Sequence, residues 1–153
     1  MITKEELIYL AGFIDGEGCI TINRSQIRDK PESLILMISN TNETIIKLIA
    51  KWFKGNIMYI KQKDNRKESW TFRAHGQDAE IFLDAIYPYL LIKKEQAHIG
   101  LEYQKLIGTK GTRYNKIRRL TKNKILPTIL KLREELFKQI RFLNRRGNLP
   151  IYS

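Results

Sequence analysis

The residues best suited to chemistry are two acids, Asp15 and Glu17, which lie among glycines at the end of the helix-spaced segment 10–18. Ala11 and Gly12 give this helix a small-residue face, which lets the backbone of a second helix approach closely. A two-fold axis through that contact would place two copies of Glu17 side by side. Paired carboxylates repel unless cations lie between them, and such cations activate water and stabilise a leaving oxygen. The segment predicts a shared cation site, unless it is an ordinary amphipathic helix with a glycine stop.

The supply of other metal ligands restricts the kind of cation. A single cysteine, Cys19, excludes an internal disulfide, and one Cys with two His cannot build the usual tetrahedral zinc site. Oxygen ligands would therefore hold any metal, which favours Mg²⁺ or a similar hard cation. His75 and His98 follow no special pattern and are expected to be surface or packing residues.

Charge indicates the partner. The chain has 28 Lys and Arg against 16 acids, a net charge of +12 and a pI near 9.9. Such a field favours a polyanion, most often nucleic acid, although a basic structural protein would share it. No apolar run has the length of a membrane span, and the N-terminus lacks the form of a signal peptide. We therefore expect no membrane partner, no small-molecule substrate and an intracellular location.

The hydrophobic pattern predicts an α+β fold, since 42% hydrophobic residues can bury a core. The first predicted elements are a helix from the Thr3–Glu6 capping box to near Asp15-Gly16 and two strands at Cys19–Gln26 and Leu34–Ser39. A second helix follows, capped by Thr41 or Asn42 and stopped by Gly55, and then a hairpin of Asn56–Lys63 and Ser69–His75. Further helices are predicted at Gln77–Tyr87, at Lys94–Ile107 and from Pro127. This order implies a four-stranded antiparallel sheet with one face on helices and the other open, polar and basic. We expect one domain over residues 1–153, with a core at about 1–107 and a basic loop and C-terminal helix at about 108–153.

Leu10-Ala11-Gly12-Phe13-Ile14-Asp15-Gly16-Glu17-Gly18 resembles the nine-residue motif that names the LAGLIDADG homing endonucleases. The element order over roughly residues 1–105 also matches the core of that family, whose sheet forms a DNA-binding saddle. One copy of the motif is present, and one-motif chains of the family work as homodimers. The resemblance implies a site-specific DNA endonuclease that hydrolyses phosphodiesters and makes a double-strand break in a long, near-palindromic target.

The resemblance also implies roles for single residues. Glu17 becomes the metal ligand, with help from the Gly16 carbonyl, and Asp15 a structural residue. Lys93 fits a lysine near the family's active centre, although it could equally be a solvated lysine. Asn42 aligns with a residue that positions water in some members, although it could be only a helix cap. The implied dimer interface consists of Leu10, Ala11, Gly12, Phe13 and Asp15. The implied cofactor is Mg²⁺, with Mn²⁺ as a substitute and Ca²⁺ supporting binding without cleavage.

The partner that follows is double-stranded DNA, read by strands lying in the major groove. Strand alternation nominates, for the open face, Thr21, Asn23, Ser25, Tyr59, Lys61, Lys63, Thr71 and Arg73. Residues expected to reach the outer base pairs are Gln26, Arg28, Lys30, Arg66 and Lys67. Phosphate contacts are expected from Lys110, Arg113, Lys116, Arg118 and Arg119.

Two other functions on the same fold stay open. Some members of the family act as maturases on intron RNA, and a catalytically inactive DNA-binding regulator could keep the scaffold. Cleavage requires Glu17, whereas RNA folding need not. The host is also open: the location would be cytoplasmic in a prokaryote or organellar, in a mitochondrion or chloroplast, in a eukaryote.

Overall fold

The structure is a computed structural model that describes residues 2–24, 32–61, 67–107 and 127–145. It has helices α1 (Lys4–Glu17), α2 (Glu43–Trp52), α3 (Gln77–Ile86), α4 (Lys94–Ile107) and α5 (Pro127–Leu143), and strands β1 (Gly18–Asn23), β2 (Ser33–Asn40), β3 (Asn56–Ile60) and β4 (Ser69–His75). A short 3-10 turn at Tyr87–Tyr89 contains Pro88 and follows α3. The predicted α+β class and element order are confirmed.

The four strands form one antiparallel sheet in the order β1-β2-β4-β3. Leu36 lies opposite both Ile20 and Ala74, and all three are buried against the helices. Side chains alternate between faces along a strand, so the next row, Cys19 and Met37, points the other way. The described helices pack on the first face, and we call the second the open face.

Helix α1 begins as predicted and ends later. The amide of Thr3 donates to Glu6 Oε2 at 2.7 Å, and the amide of Glu6 donates to Thr3 Oγ1 at 3.2 Å, which completes the capping box. The helix continues to Glu17 rather than stopping at Asp15-Gly16. A Cβ on Gly18 would lie 2.7 Å from the carbonyl oxygen of Ile14, so this close approach requires glycine there. The chain therefore passes directly from the helix into β1.

Gly55 does not stop α2, which corrects that prediction. The helix ends at Trp52, and Phe53 follows in an extended conformation with its amide bonded to Ile49. A Cβ on Gly55 would lie 2.4 Å from the Phe72 ring, so packing excludes a side chain there. Strand β1 ends at Asn23, short of the predicted Gln26, which lies outside the described residues.

Helix α5 packs on α4 and on the outer edge of the sheet. The side-chain amide of Asn144, just after α5, donates to the Ile20 carbonyl at 2.8 Å, so a polar group closes part of the β1 edge. Arg24 at the end of β1 pairs with Glu134 and lies 4.9 Å from the centre of the Phe137 ring. Across the described ranges we find no helix that combines the length and apolarity needed to cross a bilayer.

Candidate functional site

Asp15 joins the end of α1 to the turn before α4. Its two carboxylate oxygens accept hydrogen bonds from the amides of Leu91 and Lys93, each at 2.8 Å. The residue is buried within its own subunit. This geometry supports the structural role implied for Asp15, and it leaves the carboxylate of Glu17 as the free acid of the motif.

We predict that Asp15→Asn will destabilise the fold by about 1–3 kcal/mol, because an amide nitrogen would face a backbone N–H and leave a donor unpaired. Urea unfolding would measure the loss. Asp84→Asn, the same change at an exposed position of α3, serves as control and should cost no stability. Wild-type stability of Asp15→Asn would contradict the assigned role.

Lys93 places a positive charge at the end of α1. Its ammonium group donates to the Ile14 carbonyl at 3.1 Å and to the Asp15 carbonyl. A cation there complements the negative end of the helix dipole. Burial lowers the pKa of Lys93, whereas the negative charges of Asp15, Cys19 and Glu17 act in the opposite direction. Lys93 is thus close enough to Glu17 for their charges to interact, although its catalytic role stays a prediction.

Glu17 and Gly16 form the exposed last turn of α1, immediately before the open face begins at β1. Across the residues with a described position, no three His, Cys, Asp or Glu side chains come together as a metal site. Since Asp15 is engaged by backbone amides, one subunit offers Glu17 as its carboxylate ligand. A hard cation needs about six oxygen ligands. The donor set fits half of a cation site, to be completed by a second carboxylate and by phosphate or water oxygens.

Asn42 caps α2. Its side-chain oxygen accepts from the Thr44 amide at 2.9 Å, and its own amide donates to the side chain of Asn40 at 2.8 Å. The side chain is exposed. The cap is confirmed, and a role for Asn42 in positioning water stays a prediction.

The open face is built from in-register rows of side chains across the four strands. One row contains Cys19, Met37, Arg73 and Asn56. A second contains Thr21, Ile35 and His75, and a third Ser39, Thr71 and Met58. Asn23 and Ser33 extend the face at one end, and Ile60 and Ser69 at the other. The strand register confirms the predicted placement of Thr21, Asn23 and Arg73 on this face. Thr71 lies on the same face but is buried, with its hydroxyl bonded to that of Ser39, which corrects its predicted exposure.

Tyr59 lies on the other side of the sheet, so its predicted face is wrong. It pairs in register with Trp70, whose ring centre is 5.4 Å away, while Met58 lies opposite Thr71 on the open face. The side chains of β3 do alternate between the two faces as predicted, but its polar residues were assigned to the open face and its apolar residues to the covered face, which is the reverse of the observed arrangement. Both faces of an edge strand can be exposed, so polarity does not identify the one that binds. Lys61 follows β3 and is exposed.

Several open-face residues were not nominated from sequence, among them Cys19, Ser39, Asn56 and His75. Pairing with β2 would have identified them, because each lies in a row with a nominated residue. Burial and the charge of Arg73 lower the pKa of His75, which Asp78 partly offsets, so the imidazole is neutral near pH 7. His75 therefore offers this face a neutral donor and acceptor.

Many of the residues predicted to contact DNA lie outside the described residues: Ser25, Gln26, Arg28, Lys30, Lys63, Arg66, Lys110, Arg113, Lys116, Arg118 and Arg119. Lys67 is described and exposed just before β4. DNA contact by these residues stays a prediction.

The predicted dimer surface needs a correction. Leu10 and Ala11 are fully buried in the core of their own subunit, and Asp15 is bonded within it. Successive helix residues differ by about 100°, so Ala11 and Gly12 point in different directions. Gly12 is exposed with open space at its Cβ position, and Phe13 is partly exposed.

The outer face of α1 consists of apolar side chains around a glycine. Ile8 and Tyr9 are exposed, and the ring of Tyr9 stacks on that of Phe13 beside Gly12. We call Ile8, Tyr9, Gly12 and Phe13 the α1 patch. A glycine bordered by exposed apolar side chains is a surface against which another helix can pack closely.

An open antiparallel sheet on a strongly basic chain, with the carboxylate of Glu17 and the ammonium of Lys93 at its rim, is an arrangement that suits a DNA-cutting enzyme. The chain belongs to the LAGLIDADG endonuclease family, whose family model matches residues 10–106. A search of curated proteins found no match.

Solved structures share the fold. The homing endonuclease I-CvuI, bound to uncleaved I-CreI target DNA with magnesium, matches with a TM-score of 0.69 and 22% identity over 95% of this chain and 85% of that chain. The archaeal intron-encoded endonuclease I-Vdi141I, complexed with DNA, matches with a TM-score of 0.69 and 17% identity over 95% of this chain and 88% of that chain. At these identities the likeness shows the fold.

Proposed function

We propose that this protein is a homing endonuclease that works as a homodimer and makes a site-specific double-strand break in a long, near-palindromic DNA target. The main support for this proposal is the position of Glu17. It is an exposed carboxylate at the rim of the open face, and it cannot complete a cation site within the described part of one subunit. A two-fold axis beside the end of α1 would supply the second carboxylate.

The α1 patch supports dimerisation. Leu91, 80% exposed, and Ile92, 63% exposed, extend the apolar surface at the end of α1, where the Leu91 amide binds Asp15. Contiguous exposed apolar side chains commonly mark protein–protein contacts. Gly12 at the centre would let two α1 helices meet closely, which brings their Glu17 ends together.

Cleavage is proposed to require a divalent cation, Mg²⁺ or Mn²⁺, held by Glu17 and the Gly16 carbonyl from each subunit. Such a cation supplies a more acidic water and stabilises the oxygen that leaves the phosphate. Glu17 and Gly16 orient this oxygen-rich centre at the rim of the open face. Lys93, fixed by the Ile14 and Asp15 carbonyls, contributes positive charge toward the phosphate, and Asn42 would position water. Among related folds, I-CvuI has been seen with DNA in the presence of magnesium and of calcium.

DNA recognition would use the open face in the major groove, with the basic residues outside the described ranges adding phosphate contacts. Twice +12 gives a homodimer a net charge of +24. Cations bound to DNA are released when basic residues replace them, so affinity should fall steeply with added salt.

The proposal is tested by incubating the full chain with a library of randomised DNA duplexes and magnesium at low salt, then sequencing the cut ends. We expect a single family of near-palindromic sites, cut on both strands, with calcium supporting binding but no cutting. The same protein should sediment as a dimer. Absence of any cut duplex at low salt would refute the nuclease function, and cutting by a monomer would refute its dimeric form.

A further inference from the structure

The guanidinium of Arg73 lies on the open face, and among the described residues no oxygen atom accepts a hydrogen bond from it. One of its terminal nitrogens, Nη2, contacts the thioether sulfur of Met37, and sulfur is a weak acceptor. Its Nε is buried and has no hydrogen-bond partner among the described residues. Arg73 also forms no ion pair within those residues. A guanidinium whose donors are not all used in this way can bind an anion.

The row that contains Arg73 leads to the cleavage centre. Cys19, Met37 and Arg73 lie opposite one another on β1, β2 and β4. Neighbouring strands are about 4.8 Å apart, so the backbones of Arg73 and Cys19 are about 10 Å apart. Contact with Met37 turns the guanidinium along the sheet toward β1, where Cys19 follows Glu17 by two positions.

Lys93 is a second positively charged residue near the start of β1. The ammonium of Lys93 is fixed by the Ile14 and Asp15 carbonyls at the end of α1, directly before β1 and Cys19. Glu17 and Lys93 therefore lie at the β1 end of the row along which the side chain of Arg73 extends. A guanidinium that reads guanine must stand away from the sheet into the groove, whereas Arg73 lies along it.

We propose that Arg73 is a phosphate-binding residue of the cleavage centre, acting with Lys93 on the phosphodiester next to Glu17, rather than a reader of base identity. The assignment rests on the proposed endonuclease function. The planar guanidinium of Arg73 would donate hydrogen bonds to the non-bridging oxygens of that phosphate. Its positive charge would offset the negative charge that develops there during hydrolysis.

The test compares wild type, Arg73→Met and Arg73→Lys on a duplex taken from the library selection. A second duplex of the same sequence carries a neutral methylphosphonate at the cleaved position. Binding is measured with calcium and single-turnover cleavage with magnesium. Lys54→Met is the control, because Lys54 is an exposed cation that is paired with Asp78 and precedes β3, outside the row of Arg73.

We expect Arg73→Met to weaken binding and slow cleavage of the natural duplex by about ten- to a hundredfold, since bonds to charged groups are the strong ones. On the methylphosphonate duplex its binding should approach that of wild type, because the two changes remove the same contact. Arg73→Lys should lose less, and its smaller loss keeps the test valid if Arg73→Met folds poorly. Lys54→Met should match wild type on both duplexes.

Two results would overturn the assignment. Equal losses on both duplexes would show that Arg73 does not touch that phosphate. A cut-site profile relaxed at one base pair in Arg73→Met would make it a base reader. In either case wild-type cutting would leave the endonuclease function standing, whereas a wild type that cuts nothing removes both proposals.

Discussion

Glu17→Gln should abolish DNA cleavage while leaving the fold and DNA binding intact. The amide keeps the size of the side chain but loses the negative charge that a hard cation requires. Loss of the cation removes several kcal/mol of transition-state stabilisation, which corresponds to about a thousandfold or more in rate. Single-turnover cleavage of the selected duplex would measure the loss, and binding in calcium would show that the DNA interface survives.

The stability of this variant separates chemistry from folding. Glu17 is exposed at the C-terminal end of α1, where a negative charge opposes the helix dipole. Its removal should therefore leave the thermal midpoint unchanged or slightly raised. Glu135→Gln, an exposed acid on α5, is the matched control and should cut as wild type does. Undiminished cutting by Glu17→Gln would refute the metal-ligand role.

Gly12→Gln should produce a folded monomer that no longer cuts DNA. Nothing lies within 4 Å of a Cβ placed at Gly12, so the subunit accommodates the new side chain, and glutamine is the better helix former by about 0.5 kcal/mol. Between two closely packed helices the same side chain has no room. At about 1–3 kcal/mol for each overpacked copy, the dimer would lose about 2–6 kcal/mol, or a factor of about 30 or more in its dissociation constant.

Analytical ultracentrifugation would measure the mass of this variant, and urea unfolding its stability. Asp84→Gln, at an exposed position of α3, is the control and should remain dimeric and active. A Gly12→Gln protein that stays dimeric would show that α1 does not form the contact. An unfolded variant would contradict the open space that the subunit has at Gly12.

The sequence by itself determined the elements and the family. Alternating and helical spacing of apolar residues, with the Thr3–Glu6 box and Pro127 at helix starts, gave the order of helices and strands. These signals are local, because each depends on residues a few positions apart. The segment from Leu10 to Gly18 indicated the family for the same reason, because its nine consecutive residues resemble the family motif without reference to the rest of the chain.

The faces of the elements were decided only by tertiary structure. Ala11 and Gly12 are neighbours in sequence, yet one is fully buried and the other exposed, because the position of the sheet selects which side of α1 is covered. Tyr59 was assigned to the open face by its polarity, and only the register of β3 with β4 shows that Met58 lies there instead.

The grouping of the site was equally invisible to local patterns. Asp15 binds amides that lie 76 and 78 residues further along the chain, and Arg73 approaches Cys19 only because β2 lies between their strands. Burial by distant segments and the pairing of strands are long-range properties. Composition and spacing fix which side chains are available for chemistry, while the packing of helices on one sheet face decides which of them meet.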